Sequence, residues 1–515
     1  NRVTKKAEIG QNFNGYSLSV NNFGANNVQI DSNVAVGDSS AFRLNAYSDI
    51  YENDRDFSNG SGYGLNPSFK FLLDDKTTLD VSYEAIDYDR SIDRGIPRGA
   101  DDKPASELSE IVFGDPDLNK SEFESASFRA LLQHSYSDTL KGIFSLSYTD
   151  YDKLYQNFYA ASYNETINPD SITLDGYVDT TKRQNFVLSG NLVAEFESGD
   201  IKHTVLYGAE FIDSSSDNDR FNPDFDPTAA TEDQQAFLIS ERNIPGVGFN
   251  AGGLGAGLFT DLNDDTSTDY TVYSLYIQDE VELSDDLTLL LGARYDNFDI
   301  EVTDNEDDFV ASQKDEEFTP RAGIIYKPEE NISLYASYSQ TFVPQSGEQF
   351  ANLGDAGLDP DEYTNLEIGT KWNVADAFNV TAAIFKIEQD IVTDDGAGGS
   401  LVNDAEVEGY EVQLLRRISD RWTINAGYTN LDGETTSGAR PAELPEDSFS
   451  IWNSFQLSEN LGFGLGAIYQ GESTPKGGAS KGTVPNFTRV DAAAYYQLSD
   501  NLRLQVNVEN LLDTT

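Results

Sequence analysis

A short polar turn recurs along this chain, and the residues on both sides of it alternate between apolar and polar. The clearest copies, Leu-Ser-Asp-Asp-Leu and its variants, lie at residues 283–287, 418–422, 457–461 and 498–502. Six looser copies lie at residues 36–42, 73–79, 136–140, 196–201, 326–332 and 372–378. Ser, Asp and Asn favour tight turns because their side chains bond nearby backbone groups. A period of two is typical of strands, so the ten copies predict a series of β-hairpins.

The connections between these turns are long, polar and rich in Gly and Asp, as in residues 87–121, 152–182, 213–269 and 342–361. Tight turns at one edge and long loops at the other are typical of a large antiparallel transmembrane β-barrel, an all-β fold. If the first strand runs outward, ten inner turns give 21 strands within residues 1–515. Single-chain bacterial barrels normally have an even number of strands. We therefore expect a closing strand after Thr515, which would make 22 strands in the intact protein.

Aromatic residues lie near the ends of the apolar strand faces, where rings can reach the level of the lipid headgroups. They are Phe42, Phe71, Tyr136, Trp422, Phe463 and Tyr496. The alternative is a set of ordinary half-buried strands with aromatic cross-strand pairs, as in a soluble β protein. Ten hairpins in series would then need an implausibly large core, which favours strands that face outer-membrane lipid.

Composition excludes several functions. The 34 Lys and Arg residues against 89 Asp and Glu give a net charge of −55, which opposes binding of nucleic acid. The chain has no Cys. We expect its two His residues, His134 and His203, to be polar strand residues rather than metal ligands, because no His/Cys cluster has ligand spacing. No motif for nucleophilic catalysis is present, so we expect no enzyme. The acidic stretch at residues 304–317 is either a solvated loop or a site for divalent cations.

Several short sequence segments occur in a characteristic order in the second half of the chain. They are residues 273–280 (YSLYIQDE), 291–296 (LGARYD), 318–323 (FTPRAG), 334–339 (LYASYS), 408–411 (EGYE), 445–452 (PEDSFSIW), 484–491 (VPNFTRVD) and 507–513 (NVENLLD). Together they resemble the TonB-dependent ferric-siderophore receptors of bacterial outer membranes. Residues 1–6 (NRVTKK) are similar to the sequence segment with which the plug domain of that family ends.

The resemblance implies that residues 1–515 form the barrel domain and that a plug domain precedes residue 1. It also implies capture of a ferric siderophore at the outer loops and import into the periplasm, driven by a TonB-type energy-coupling protein through the plug. The siderophore would carry the iron, so we expect no cofactor of the protein itself. We further expect a monomer.

Three other classes stay open from the sequence. A passive porin would have fewer strands. A receptor of the same superfamily could take cobalamin, haem or a glycan, although the shortage of His argues against haem. A soluble carbohydrate-binding β protein is the third.

A ferric chelate carries aromatic or hydroxamate groups and often a net negative charge, so its site calls for aromatic faces and a few Arg or Lys donors in a wide mouth. Basic residues are scarce in this chain, so those in the outer loops are informative. The third outer loop supplies Tyr88, Arg90, Arg94 and Arg98, the fourth supplies Tyr151, Tyr155, Phe158 and Tyr159, and Phe342 and Tyr428 lie at outer strand ends. Each could instead be a girdle or packing residue. We expect Arg94 and Arg98 to contact the chelate.

Overall fold

The computed structural model describes residues 4–114, 118–224, 235–239, 259–306, 308–344, 359–374, 378–394, 400–475 and 482–514. Within them the chain forms one antiparallel sheet in which strands adjacent in the sequence are adjacent in space. The exception is β10, a four-residue strand that pairs with β8, so that β9 pairs with β11. Apart from β10 the sheet has 21 strands, which confirms the expected number.

The strands of the first half are β1 (Phe13–Val20), β2 (Asn26–Val36), β3 (Ser40–Glu52), β4 (Asn59–Asp74), β5 (Thr77–Ser91), β6 (Lys120–Ser137), β7 (Leu140–Tyr163), β8 (Ser171–Ser198), β9 (Ile201–Asn222), β10 (Gln235–Leu238) and β11 (Asp261–Ser284). Those of the second half are β12 (Leu287–Asp304), β13 (Phe309–Glu329), β14 (Ile332–Val343), β15 (Asp361–Val374), β16 (Phe378–Asp394), β17 (Ser400–Ser419), β18 (Trp422–Thr435), β19 (Asp447–Gln456), β20 (Leu461–Gln470), β21 (Phe487–Ser499) and β22 (Leu502–Val508). A single turn of 3₁₀ helix covers Ser106–Leu108. Nowhere in the described ranges is a helix long and apolar enough to cross a bilayer.

The tight turns lie where the sequence predicts them. Nine of the ten connect consecutive strands within the described residues, for example between β11 and β12 and between β21 and β22. The tenth, at residues 375–377, lies outside the described residues, but the flanking strands β15 and β16 pair with each other. Among the described residues β1 pairs only with β2, and β22 pairs only with β21. A closing strand after Thr515 stays a prediction.

The two faces of the sheet differ as the alternation predicts. Tyr273 and Leu275 on β11 point outward and are 58% and 64% exposed, whereas Ser274 between them is 2% exposed and bonds to Asp296. Large apolar side chains on the outward face are exposed from β1 to β22, and the opposite face, which we call the lumen face, is mostly polar along the described membrane-spanning parts of the strands. An apolar exterior around a polar interior is the arrangement of a barrel in lipid.

The outer parts of the strands are longer than the sequence suggests. Residues 152–182 were expected to be a connection, but β7 and β8 pair through most of this range and leave only residues 164–170 between them. Likewise β12 and β13 occupy most of the acidic stretch 304–317. Backbone hydrogen bonds between strands do not require apolar side chains, and beyond the lipid both faces meet water. The apolar alternation therefore fades before the strands end.

The connection between β5 and β6, residues 92–119, packs against the outer side of these extended strands. Leu108 and Phe113 from this connection form a buried cluster with Phe158 of β7 and Val178 of β8. Phe259, just before β11, completes it. Phe158 and Val178 alternate with Tyr155 and Tyr177, so this small core lies on the face of β7 and β8 away from the lumen and holds the connection against the wall.

Candidate ligand-binding site on the lumen face

Four side chains form a continuous row across the outer ends of β5 to β8, which we call the Tyr88 row. Tyr88 on β5 stacks on Phe123 of β6, with ring centroids 5.3 Å apart, and Phe123 lies 5.7 Å from the ring of Tyr151 on β7. The guanidinium of Arg183 on β8, the cross-strand partner of Tyr151, lies 5.9 Å from the centre of that ring. All four lie on the lumen face, so the row presents aromatic surface and one cation to the interior.

Arg90 extends the row at its β5 end. Its guanidinium lies 5.2 Å from the ring of Tyr88 and 5.6 Å from the ring of Tyr51 on β3. It also forms an ion pair of 3.5 Å with Asp49, which neutralises part of its charge. Arg90 therefore holds rings in place as well as facing the interior.

A second group, the Tyr177 cluster, lies further out on β7 to β9. The ring of Tyr177 on β8 stacks on Tyr155, at 5.9 Å, and meets Tyr159 edge-on, at 6.3 Å. Two guanidinium groups lie against Tyr177, that of Arg220 at 4.7 Å and that of Arg94 at 5.7 Å. Arg94 also donates a hydrogen bond of 2.5 Å to the phenol oxygen of Tyr177. The cluster thus combines three phenols with two cations.

The two cations of the Tyr177 cluster differ in their charge balance. Arg220 makes a bidentate pair with Asp179, at 2.6 and 2.7 Å. Arg94 is exposed and has no ion pair within the described part of the chain. Burial, with the carboxylate of Asp175 nearby, raises the pKa of Tyr159 to about 12, so its phenol stays protonated and donates to Asp175 at 3.1 Å. Arg94 is therefore the cation that an incoming anion can reach.

Six of the ten residues singled out from the sequence take part in these two groups, whereas Phe158 lies in the buried cluster beneath the connection between β5 and β6. The six are Tyr88, Arg90, Arg94, Tyr151, Tyr155 and Tyr159. Five of them lie on strands and not in loops, since Tyr88 and Arg90 belong to β5 and the three tyrosines to β7. This corrects the expected placement and makes their positions more rigid.

Arg98 does not join Arg94. It lies beside Asp102, at 3.3 Å, where the backbone N–H of Thr483 donates to the Asp102 carbonyl at 2.7 Å. The connection between β5 and β6 thus contacts the connection between β20 and β21, residues 471–486. Arg98 belongs to this contact between outer loops.

Phe342 and Tyr428 also lie apart from the two groups. The ring of Phe342 meets Phe298 edge-on, at 5.2 Å. Tyr428 lies on the outward face of β18, opposite the exposed Phe449 of β19, and its hydroxyl donates to Asp447 at 2.5 Å. This is the position of a girdle residue, so we leave Tyr428 out of the candidate site.

Sequence reasoning missed Phe123, Tyr177, Arg183 and Arg220. Period two places Tyr177 and Arg183 on one face of β8, but nothing in the sequence showed which face. The observed register pairs Asn157 with Tyr177, and this alone brings Tyr177 beside Tyr155 and Tyr159.

No group of three or more His, Cys, Asp or Glu in the described ranges is arranged to hold a metal ion. The His134 ring bonds to Thr77 and that of His203 to Asp279, each at 2.8 Å and each near a tight turn.

An outward-facing apolar wall around a lumen lined with rings and guanidinium groups defines a receptor-type barrel of the bacterial outer membrane. A family model described as "TonB dependent receptor-like, beta-barrel" matches residues 63–511. The chain belongs to this family of receptors and transporters, and its place is the outer membrane.

Relatives and solved structures agree with this assignment. The chain is 28% identical to the "Probable TonB-dependent siderophore receptor PiuA" of Acinetobacter baumannii, over 100% of this chain and 74% of that protein. It is 26% identical to the "Catecholate siderophore receptor Fiu" of Escherichia coli K12, over 94% of this chain and 70% of that protein. The crystal structure of the A. baumannii receptor superposes with a TM-score of 0.87 at 25% identity, over 99% of this chain and 78% of that one. The ferripyoverdine receptor of Pseudomonas aeruginosa superposes with a TM-score of 0.81 at 20% identity, over 99% of this chain and 69% of that one, and so shows the fold alone.

Proposed function

We propose that this protein captures a ferric siderophore at the Tyr88 row and the Tyr177 cluster and imports it into the periplasm. The names of its relatives support this substrate class, since two of them are siderophore receptors. The position of the two groups supports the site, because they face the lumen at its outer end, where a ligand arrives.

One observation carries the proposal. The exposed Arg94, which has no ion pair among the described residues, lies against the rings of Tyr159 and Tyr177, at 5.2 and 5.7 Å. A guanidinium group held against rings is pre-organised, so that little rotamer entropy is lost when it binds an anion. The rings beside it offer faces to the aromatic or apolar parts of the ligand. This combination suits a bulky anionic chelate better than a neutral sugar.

The transport step needs partners that lie outside these residues. A plug domain before residue 1 would close the lumen, and a TonB-type protein would act on that plug to release the chelate. Barrels of this strand number enclose a lumen wide enough to need such a plug. The siderophore would hold the iron, and the protein would act as a monomer in outer-membrane lipid, without catalysing a reaction.

Uptake of radioactive iron by cells that express the intact receptor tests the proposal. Iron-loaded siderophores should be taken up, and cobalamin or haem should not. The double variant Arg94→Gln/Arg220→Gln should bind the chelate roughly 10–100 times more weakly, because the contact of the reachable cation, Arg94, with a charged group contributes about 1.5–3 kcal/mol.

The matched control is Arg416→Gln, an exposed arginine on β17 whose cross-strand partners Phe378 and Ile424 lie near tight turns on the inner side. This variant should bind and transport like the parent. Uptake of haem or cobalamin in place of siderophores would refute the substrate class. Unchanged affinity in the double variant, in a correctly folded barrel, would refute the site.

A further inference from the structure

A cavity of about 290 Å³ lies on the lumen face, next to the Tyr88 row. Its floor consists of apolar side chains on neighbouring strands, among them Val272 of β11 and Phe298 and Ile300 of β12. Val272 and Ile300 are almost fully buried, at 2% and 1% exposure. An apolar cavity of roughly 150 Å³ already holds a benzene ring, so this one has room for a ring with substituents.

The rim of the cavity is polar, and its donors lie in one cross-strand row. Arg183, Ser216 and Thr268 are paired in register across β8, β9 and β11. The Arg183 Nε donates to Ser216 Oγ at 3.1 Å, and Arg183 has no carboxylate partner among the described residues. Thr268 lines the cavity, is 4% exposed, and its hydroxyl has no hydrogen-bond partner among them. A buried hydroxyl without a partner costs free energy, which a bound oxygen atom would recover.

From this geometry we infer that the cavity binds an aromatic ring carrying an anionic oxygen, such as the catecholate or hydroxybenzoate arm of a chelate. The ring would contact Val272, Phe298 and Ile300, and its oxygens would accept hydrogen bonds from Arg183 and Thr268. A hydroxamate arm has no ring and would leave the apolar floor uncovered. Since Arg183 also contacts Tyr151, a chelate at the Tyr88 row could place one arm in the cavity.

This inference rests on the proposed function and specifies the substrate class. The test uses the intact purified receptor and three probes: a ferric tris-catecholate, a ferric tris-hydroxamate and free dihydroxybenzoate. Thr268→Val keeps the side-chain volume and removes the hydroxyl, and Arg183→Gln removes the charge. Thr271→Val makes the same change as Thr268→Val on the opposite face of β11 and is the matched control.

Thr268→Val should weaken binding of the tris-catecholate severalfold, and Arg183→Gln should weaken it tenfold or more. Thr271→Val should have no effect. If the tris-hydroxamate binds, neither Thr268→Val nor Arg183→Gln should weaken its binding by as large a factor as it weakens binding of the tris-catecholate. Parental affinity of both variants for the tris-catecholate would overturn the inference and leave the proposed function standing. If no ferric chelate binds at all, the proposed function fails. In that case free dihydroxybenzoate tests the inferred cavity site by itself. Binding of dihydroxybenzoate that is lost in Arg183→Gln supports the inference, and absence of binding overturns it.

Discussion

Single buried residues fix the path of the chain where it enters the barrel wall. Asn33 on the lumen face of β2 is 1% exposed and makes three hydrogen bonds to the segment before β1. Its amide nitrogen donates to the carbonyls of Glu8 and Gln11, at 2.8 and 2.7 Å, and its oxygen accepts from the Glu8 N–H at 2.9 Å. Arg43 of β3 adds ion pairs to Asp31 and Glu8, at 2.7 and 2.9 Å. The segment is thereby anchored to the wall.

Replacing Asn33 with Ala should release this segment without unfolding the barrel. The Glu8 N–H loses its acceptor, and two carbonyls lose their donors, at about 1 kcal/mol per bond. Hydrogen exchange at the Glu8 amide should become about 10–100 times faster, while exchange in the barrel strands stays the same. Asn507→Ala on the exposed edge strand β22 is the control and should leave Glu8 protected. Unchanged exchange at Glu8 in Asn33→Ala would contradict this account of the anchor.

At the scale of strands, glycines let large lumen-facing rings lie flat against the wall. A Cβ on these glycines would come within 2.5 Å of the ring on the neighbouring strand, as at Gly64 beneath Tyr47, Gly208 beneath Tyr276, Gly369 beneath Tyr335 and Gly464 beneath Trp452. A ring that lies on a glycine covers backbone and does not narrow the lumen. Trp452 on β19 thus explains two of the alternating glycines of β20, Gly464 and Gly466.

Gly464→Ala tests this packing through the fluorescence of a chain with only three Trp residues. The added Cβ would lie 2.2 Å from the Trp452 ring, which must therefore move. We expect a shift in Trp emission and a loss of about 1–3 kcal/mol in the free energy of unfolding, typical of overpacking. Gly427→Ala is the control, because its Cβ meets only Ser450 Oγ at 3.4 Å. Identical spectra and unfolding midpoints for the parent and Gly464→Ala would rule the packing out.

The sequence predicts the inner edge of the sheet well because the lipid imposes strict alternation there and short turns end it. It predicts the outer edge poorly. Residues 152–182 carry polar and apolar residues mixed on both faces, so no apolar alternation distinguishes the observed strands β7 and β8 from a loop. The four-residue strand β10 is too short for any periodicity.

The candidate site was predictable along a strand but not across strands. Tyr151, Tyr155 and Tyr159 are spaced at even intervals, so period two places them on one face of β7. Tyr177 and Arg220 join them only through the register of the outer hairpins. That register includes an irregularity between Ala160 and Ser162, which no sequence pattern reveals.

At the scale of the whole molecule, the apolar surface points away from the interior. Large apolar side chains on the outward faces are exposed from β1 to β22. The buried apolar residues form small clusters, one of them beneath the connection between β5 and β6. A soluble β protein would bury these outward faces in a packed interior, and exposed apolar patches of this extent are not tolerated in water. The wall is therefore stable only in lipid.

Site-directed spin labelling along β15 tests most directly whether the barrel wall faces lipid. Residues 1–515 contain no Cys that would have to be removed before labelling. In the intact receptor in bilayers, labels at Leu366, Ile368 and Thr370 should collide with oxygen dissolved in hydrocarbon. Labels at Asn365, Glu367 and Lys371 should show little oxygen contact, because they face the polar lumen. A period of two in oxygen accessibility is the expected result. Equal accessibility at all six positions, or high oxygen contact on the polar face alone, would contradict a lipid-facing barrel wall.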